Sequence, residues 1–203
     1  IVGDDRVVID GDGYAIIGNG SGYGIDTNGY DDIIIKNFAG INNFSTAIYL
    51  NNTNNAEILD NIINTYSLQN VQGIYVISSS SNNYARNIIS TSGFGAYGIN
   101  LISGTGNTFT NGRITAVNAN DIRINSAIAI FNNVTFNKTD IGFENGATGS
   151  VSVKYYLDLV AREWQYDYFE GLAGSAGFCG DSKCSSEESP LTCVEDCQIR
   201  TTT

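Results

Sequence analysis

The sequence of 203 residues contains no His and no Met, and only one Pro and one Trp. Without His, the chain lacks the commonest general base, the commonest transition-metal ligand and the usual pH switch near neutrality. Charged residues make up only 15% of the chain and are mostly acidic, which gives a formal net charge of −11. This charge argues against nucleic acid or an anionic membrane surface as the main partner.

Long apolar runs are also absent, since no stretch reaches the ~18 apolar residues that predict a transmembrane helix. We therefore expect no membrane insertion of this segment. The lack of Met and of a signal peptide leads us to expect a mature form or a fragment. All four Cys lie within residues 179–197 and are expected to form one local unit.

The abundant residues are Gly, Asn and Ile, with about 25 Asn and about 26 Ile, more than average globular composition supplies. A motif of a small residue, Ile, any residue and an aliphatic residue recurs every 23 to 26 positions, as in 47–50, 73–76 and 98–101. An apolar residue three positions before an Asn recurs between these copies, separated by turns rich in Gly, Asn and Ser. A fixed period of this length is typical of a repeat architecture.

The repeated segments are short, rich in Ile, Val and Tyr, and alternate between apolar and polar residues, which predicts strands. Two or three strands in each turn of about 24 residues predict an all-β fold, a right-handed parallel β-helix of about six turns. We expect this β-helix over residues 1–148, a capping or exit strand segment over 149–178 and a Cys-rich tail over 179–203.

The recurring Asn is predicted to point inward at a bend between two strands. Its buried amide needs partners, and identical residues stacked in successive turns can bond to one another. The motif spacing places four residues in this predicted ladder: Asn37, Asn61, Asn87 and Asn133.

The segments DGDGYAIIGNGSGYGIDTNGYDDIIIKNF and GIYVISSSSNNYARNIIS closely resemble the pectate-lyase-like right-handed β-helix repeats of NosD-type surface proteins of archaea and bacteria. The resemblance covers about residues 5–146. It implies the fold but no single function, because this fold carries lyases, hydrolases, adhesins and purely structural proteins. Copper binding does not transfer, since the repeats lack His, Met and Cys.

The tail resembles short Cys-rich motifs of prokaryotic surface proteins. Two disulfides among Cys179, Cys184, Cys193 and Cys197 are implied, in one of three pairings, which indicates an extracellular or cell-surface location. Its carboxylates make calcium a candidate cofactor, whereas a zinc site and a solvated acidic tail are the alternatives. The candidate calcium ligands are Asp181, Glu188 and Asp196.

Three sets of residues in the repeats are candidates for a site. The first is a predicted outward column, Lys36, Asp60, Arg86, Asn111 and Asn132, which is either a lyase-like base and neutraliser or a surface salt-bridge ladder. The second is Asp31–Asp32, better explained by turn chemistry than by hydrolysis. The third is a column of Asp26, Tyr49, Tyr75, Asn100 and Arg123, in which Tyr49 and Tyr75 are candidates for stacking on a sugar ring or contacting another subunit.

Sequons predict glycosylation of Asn19, Asn43 and Asn51 if the source organism glycosylates its proteins, whereas Asn133 is expected to be protected by burial in the ladder. Taken together, the sequence favours a non-enzymatic scaffold, adhesin or subunit of a surface assembly such as a filament. Its expected partners are copies of itself, other surface proteins or glycans. The alternatives are a polysaccharide lyase or hydrolase and a carbohydrate-binding module.

Overall fold

The computed structural model describes residues 1–118, 120–136, 141–143, 150–158 and 163–172, with side chains described as far as residue 136 except at 67–69. All regular structure in these residues is β. The strands are β1 (Val8–Asp10), β2 (Ala15–Ile17), β3 (Tyr23–Asp26), β4 (Ile34–Lys36), β5 (Gly40–Asn42), β6 (Thr46–Asn51), β7 (Glu57–Leu59), β8 (Ile62–Gln69), β9 (Gln72–Ile77), β10 (Asn83–Ala85), β11 (Ile88–Phe94), β12 (Tyr97–Thr110), β13 (Arg113–Val117), β14 (Ile122–Asn132), β15 (Ile141–Phe143), β16 (Ser150–Asp158) and β17 (Glu163–Leu172).

The strands stack into three parallel faces, because each turn of the chain repeats the same three segments. Face A contains β1, β4, β7, β10 and the later parts of β12 and β14. Face B contains β2, β5, β8, β11 and β13. Face C contains β3, β6, β9 and the earlier parts of β12 and β14. The prediction of an all-β parallel solenoid is confirmed, with about five turns rather than six.

The core lies along the axis and consists of inward columns, one residue from each turn. Face B contributes Ile41, Ile63 and Ile89, and face C contributes Ile48, Ile74 and Ile99, all buried. On face A the column changes from Ile to aromatic residues. There the rings of Tyr84 and Phe109 stack at 4.2 Å between centroids, and those of Phe109 and Phe131 at 4.7 Å.

The small residue of the repeated motif makes room at one corner of the solenoid. Gly24, Ala47, Gly73 and Gly98 occupy this position in four successive turns of face C. A Cβ atom at Gly73 or Gly98 would collide with the side chain of the Ile on face B, Ile89 or Ile114 respectively. The small residue therefore lets the two faces close against each other, since interiors pack too densely to absorb another methyl group.

The bends explain part of the high Asn content, because they require positive φ in every turn. The residues with positive φ stack into columns. One column comes directly after the face A strands in the chain, and another comes directly before them. Asn and Asp enter this left-handed region more readily than other residues that carry a side chain. The column that follows face A contains Asn37, Asp60, Arg86, Asn111 and Asn133, with φ between 52° and 59°.

Directly after this bend lies an inward position, where Asn61 and Asn87 are buried. The Oδ1 of Asn87 accepts the backbone N–H and the Nδ2–H of Asn61, both at 3.1 Å. Asn61 in turn accepts the backbone N–H of Phe38 at 3.2 Å. Each amide also donates to the carbonyl of a strand residue in the preceding turn, Ile35 for Asn61 and Ile58 for Asn87. These two residues form a buried ladder.

The prediction that Asn37 and Asn133 belong to this ladder is wrong, because both are exposed and occupy the bend itself. The strand register pairs Ile35, not Ile34, with Ile58, so Asn37 lies one position before the inward site. Phe131 likewise pairs with Phe109 and moves Asn133 to the bend. The expectation that burial protects Asn133 from glycosylation is wrong for the same reason.

A second ladder, which the sequence interpretation missed, precedes face A. Asn82 and Asn107 are buried there, and the Oδ1 of Asn107 accepts the N–H of Asn82 at 3.3 Å. Asn82 accepts the N–H of Ala56 at 2.7 Å. Ala56 and Ala129 take the equivalent position in other turns, so Asn does not recur regularly enough in this column to be recognised as a sequence motif.

Beyond the last complete turn, β16 continues face A in parallel with β14, and β17 pairs with β16 in the antiparallel direction. The predicted domain boundary at residue 148 stays a prediction, and the predicted disulfide cysteines lie outside the described residues. In the described part of the chain, no helix is long and apolar enough to cross a membrane.

The ladder predicts a large effect for Asn87→Leu. This change removes the acceptor for Asn61 and the donor to Ile58, and each buried group left unpaired costs about 1–3 kcal/mol. We expect urea denaturation to show a loss of roughly 2–5 kcal/mol in the free energy of unfolding. Asn83→Leu is the matched control, because Asn83 lies in the same turn of the solenoid and is exposed. Equal stability of the two variants would contradict the ladder.

Candidate functional site

The outward surface of face C carries the most distinctive cluster of side chains. The register aligns Asp26 with Tyr49, Tyr49 with Tyr75, and Tyr75 with Asn100, as the motif spacing predicts. Arg123 follows beside Asn100 in the next turn. One turn step therefore separates each member of the column from the next.

Tyr23, Tyr49 and Tyr75 form a row of neighbouring rings, here called the tyrosine strip, in which the first pair is stacked and the second is tilted. The ring centroids of Tyr23 and Tyr49 lie 4.5 Å apart with 21° between the planes. Those of Tyr49 and Tyr75 lie 5.4 Å apart with 37° between the planes. Tyr23 was not predicted as a site residue, because its backbone pairs with Thr46 and only its side chain reaches the column.

The stack determines which parts of the rings a ligand can reach. Tyr49 has a neighbouring ring on each side, whereas Tyr23 is 48% exposed and, among the described residues, has a ring partner on one side only. Partial burial raises the pKa of Tyr49 and of Tyr75. Both phenols therefore remain protonated at neutral pH and can act as hydrogen-bond donors as well as acceptors.

Polar side chains continue the strip along face C. The Nδ2 of Asn100 donates to the Oε1 of Gln72 at 3.2 Å, and Arg123 donates to the Oδ1 of Asn100 at 3.2 Å. The guanidinium of Arg123 lies 5.4 Å from the ring centroid of Tyr97, within cation–π range. Ile77 and Ile102 are aligned and half-buried on the same outward surface. Asn100 itself is buried, with 2% exposure. The contact surface is therefore defined here as the tyrosine strip with Gln72, Ile77, Ile102 and Arg123.

The predicted charged column beside face A separates into two ion pairs. Lys36 bonds to Asp10 at 3.2 Å and aligns with Leu59, so the prediction that it stacks on Asp60 is wrong. Arg86 binds both carboxylate oxygens of Asp60 at 2.7 Å, which lowers the pKa of Asp60 and raises that of Arg86. Both pairs are partly solvent-exposed and lie at the surface, where ion pairs contribute ~0–1 kcal/mol.

The remaining members of that column do not join these charges. Asn132 aligns with Thr110 on the strand, whereas Asn111 is at the bend and accepts the Nδ2–H of Asn133 at 2.7 Å. This geometry fits a structural surface ladder.

Asp31 and Asp32 form part of a turn. The carboxylate of Asp31 accepts the backbone N–H of Asn54 at 2.6 Å and its Nδ2–H at 3.2 Å. Asp32 has φ of 58° and occupies the bend. The arrangement agrees with turn chemistry, in which a carboxylate satisfies backbone donors.

No group of three or more His, Cys, Asp or Glu side chains that could hold a metal ion is found where the structure is described. The candidate calcium ligands Asp181, Glu188 and Asp196 lie outside that part of the chain. Of the predicted glycosylation sites, Asn19 is exposed, and Asn43 and Asn51 are half-buried. Glycosylation of all three stays a prediction.

Comparison with known proteins adds no relative: no family model, no curated protein and no solved structure matches this chain.

The stack predicts how Tyr49 supports the fold. Tyr49→Ala removes the central ring and separates Tyr23 from Tyr75, so we expect a loss of about 1–3 kcal/mol in unfolding free energy. Tyr49→Phe keeps the stack and should stay within about 0.5 kcal/mol of wild type. Tyr14→Ala controls for loss of an exposed ring, since Tyr14 is 75% exposed. If urea denaturation gives the Tyr49→Ala and Tyr14→Ala variants the same stability, the stack does not stabilise the solenoid.

Proposed function

We propose that this chain is a non-enzymatic scaffold that assembles with other copies of itself or with other surface proteins through the contact surface on face C. The observation that carries the proposal is the tyrosine strip, with rings 4.5 and 5.4 Å apart on consecutive turns. Such a strip is a flat, fixed array of aromatic edges and hydroxyl groups. Tyr and Arg are enriched at protein interfaces, and both occur on this surface.

The rigidity of the surface supports this function. Each strip residue stands on a strand that is hydrogen-bonded to the turns on either side, except at the first turn. Tyr49 is also held between two rings. Binding therefore orders few additional side chains, and a preorganised surface loses less entropy on association. Ile77 and Ile102 add apolar area beside the aromatic edges.

The ring geometry favours a protein partner over a stacked sugar. A sugar ring needs an open aromatic face, but Tyr49 is covered on both faces by neighbouring rings. Tyr23, at the first turn, retains a more open face. A glycan could still bind there or accept hydrogen bonds from the phenols, so the predicted carbohydrate-binding module remains an alternative that the same experiments can distinguish.

The cellular setting forms part of the proposal. We infer an extracellular or cell-surface location from the cysteine-rich tail, whose disulfides stay a prediction. Membership of the pectate-lyase-like, NosD-type β-helices is proposed from the repeat motifs alone. The polysaccharide lyase or hydrolase alternative would be established by calcium-dependent release of unsaturated sugars or by release of reducing ends.

Self-assembly is tested by electron microscopy and sedimentation of the full chain as isolated, without refolding. We expect ordered assemblies of the wild type. A double variant, Ile77→Glu with Ile102→Glu, places two charges on the contact surface and should give single particles that remain folded, because both side chains point outward.

The matched control is Ile62→Glu with Ile88→Glu on face B, where the two side chains are 38% and 48% exposed. These changes add the same charges to a different face and should leave assemblies intact. Loss of assembly in both double variants would mean that total charge controls association. A wild type that stays dispersed at all concentrations would exclude self-assembly, and a screen against polysaccharides would then test the glycan alternative.

A further inference from the structure

The turn that follows β3 has an Asn-Gly pair at its centre. The N–H of Tyr30 donates to the carbonyl of Thr27 at 3.1 Å, which closes the turn. The two central residues, Asn28 and Gly29, have φ of 53° and 83°. The backbone N–H of Asn28 also donates to the carboxylate of Asp26 at 2.9 Å. Positive φ at both central residues and the closing bond are the features of a type I′ turn.

The peptide group at the centre of this turn is free to rotate. Among the described residues, neither the N–H of Gly29 nor the carbonyl and side-chain amide of Asn28 has a hydrogen bond. Both residues are exposed. Rotation of this peptide plane by about 180° converts a type I′ turn into type II′, in which the first central residue keeps φ near +60° and takes ψ of about −120°. The closing bond from Tyr30 to Thr27 is common to both turn types.

This rotation brings two reactive groups together. With ψ near −120°, about the value that type II′ turns require, the nitrogen of Gly29 eclipses the Cβ of Asn28. The unbonded side chain of Asn28 can then turn its Cγ toward that nitrogen. Because Gly29 has no side chain, nothing on the attacking residue shields its nitrogen.

We propose that Asn28 is a site of spontaneous deamidation. Hydroxide removes the proton from the nitrogen of Gly29, which attacks Cγ of Asn28, so that the new N–Cγ bond forms as the Cγ–Nδ2 bond breaks. The departing nitrogen takes a proton from water and leaves as ammonia, which restores the hydroxide. A second water molecule opens the resulting succinimide at either carbonyl and gives Asp or isoaspartate at position 28. No electrons are exchanged, and water is the only co-reactant.

The turn that follows β1 offers a close comparison. The N–H of Tyr14 donates to the carbonyl of Gly11 at 2.7 Å, and Asp12 and Gly13 have φ of 47° and 77°. In this turn, however, the N–H of Gly13 donates to the carbonyl of Asn37 at 2.8 Å. Rotation of the central peptide would break this bond. Two turns of the same type therefore differ in whether the attacking nitrogen is held.

The other described Asn-Gly pairs also have a hydrogen bond at a reacting group. The N–H that follows Asn19 donates to the carbonyl of Asn43 at 2.7 Å. The side chain of Asn111 accepts the Nδ2–H of Asn133 at 2.7 Å. A further pair at 145–146 lies outside the described residues. Deamidation at either described site must first break one hydrogen bond.

The modification would change the end of face C. It adds a carboxylate directly after β3, where Asp26 aligns with Tyr49 of the tyrosine strip. Isoaspartate also adds one carbon to the main chain of a tight turn. The reaction is a property of the turn itself and does not rest on the proposed function.

The direct test is peptide mapping by mass spectrometry of the folded full chain after incubation at mildly alkaline pH, with Asp and isoaspartate distinguished by fragmentation. We expect Asn28 to deamidate faster than Asn19 and Asn111 by roughly 2- to 10-fold, the rate factor of one net hydrogen bond. The chain denatured in urea is the control, in which all three sites should react at similar rates. The proposal is overturned if Asn28 is no faster than the other two when folded, or if the denatured chain shows the same preference.

Asp12→Asn places an Asn-Gly pair in the comparison turn. Its attacking nitrogen donates to Asn37, so position 12 should deamidate more slowly than Asn28 in the same molecule, again by roughly 2- to 10-fold. Position 12 has φ of 47°, which Asn accepts as readily as Asp, so the variant should fold like wild type. Equal rates at positions 12 and 28 in the folded variant would show that the free peptide group does not determine the reactivity of Asn28.

Discussion

The solenoid depends on hydrogen bonds that cross from one turn to the next outside its strands. Each bend carries backbone N–H groups that the strand ladders do not use, and an unpaired buried group costs about 1–3 kcal/mol. Side-chain oxygens of neighbouring turns accept them, as Asn61 does for Phe38 and Asn82 does for Ala56. Nearer the surface, a second set of hydrogen bonds joins the turns in the opposite direction, from the backbone N–H of one turn to a side chain of the preceding turn. The accepting side chains are those of Asp31, Asn54 and Ser80.

This constraint also positions the candidate site. Because the bends hold every turn in register, residues 22 to 26 positions apart in the chain stack at the spacing of neighbouring strands. Tyr49 and Tyr75 are therefore brought to 5.4 Å without direct bonding between them. The same step pairs Asp60 with Arg86 beside face A. The surface properties of the molecule thus follow from the arrangement of its turns.

Much of the architecture could be predicted from the sequence, because Ile recurs at a nearly constant step and alternates with polar residues. The inward columns of Ile48, Ile74 and Ile99 are where the period places them. The ladder was only half predicted. Asn suits both the left-handed bend and the inward position beside it, so the residue type does not distinguish Asn37 from Asn61. Turn lengths that vary from 22 to 26 residues are enough to shift the assignment by one position.

The ring stacking, the second ladder and the charged pairs could not be predicted fully, because they depend on strand register and side-chain geometry that the residue spacing does not determine. The spacing predicted that Tyr49 and Tyr75 would be neighbours, but it did not show that their rings stack on each other or that Tyr23 joins them. The second ladder was missed because Ala56 and Ala129 interrupt it, so only two turns supply Asn. The prediction that Lys36 and Asp60 belong to one outward column was wrong, because the strand register at Lys36 differs by one residue from the motif alignment.

The central claim is that side-chain amides satisfy the backbone at the bends, and amide hydrogen exchange followed by NMR tests it most directly. The N–H groups of Phe38, Ala56 and Asn61 lie outside strand ladders but donate to buried Asn side chains. The account predicts that they exchange as slowly as the strand amides of face A. Exchange as fast as that of exposed turn amides would show that the ladders do not hold the turns together.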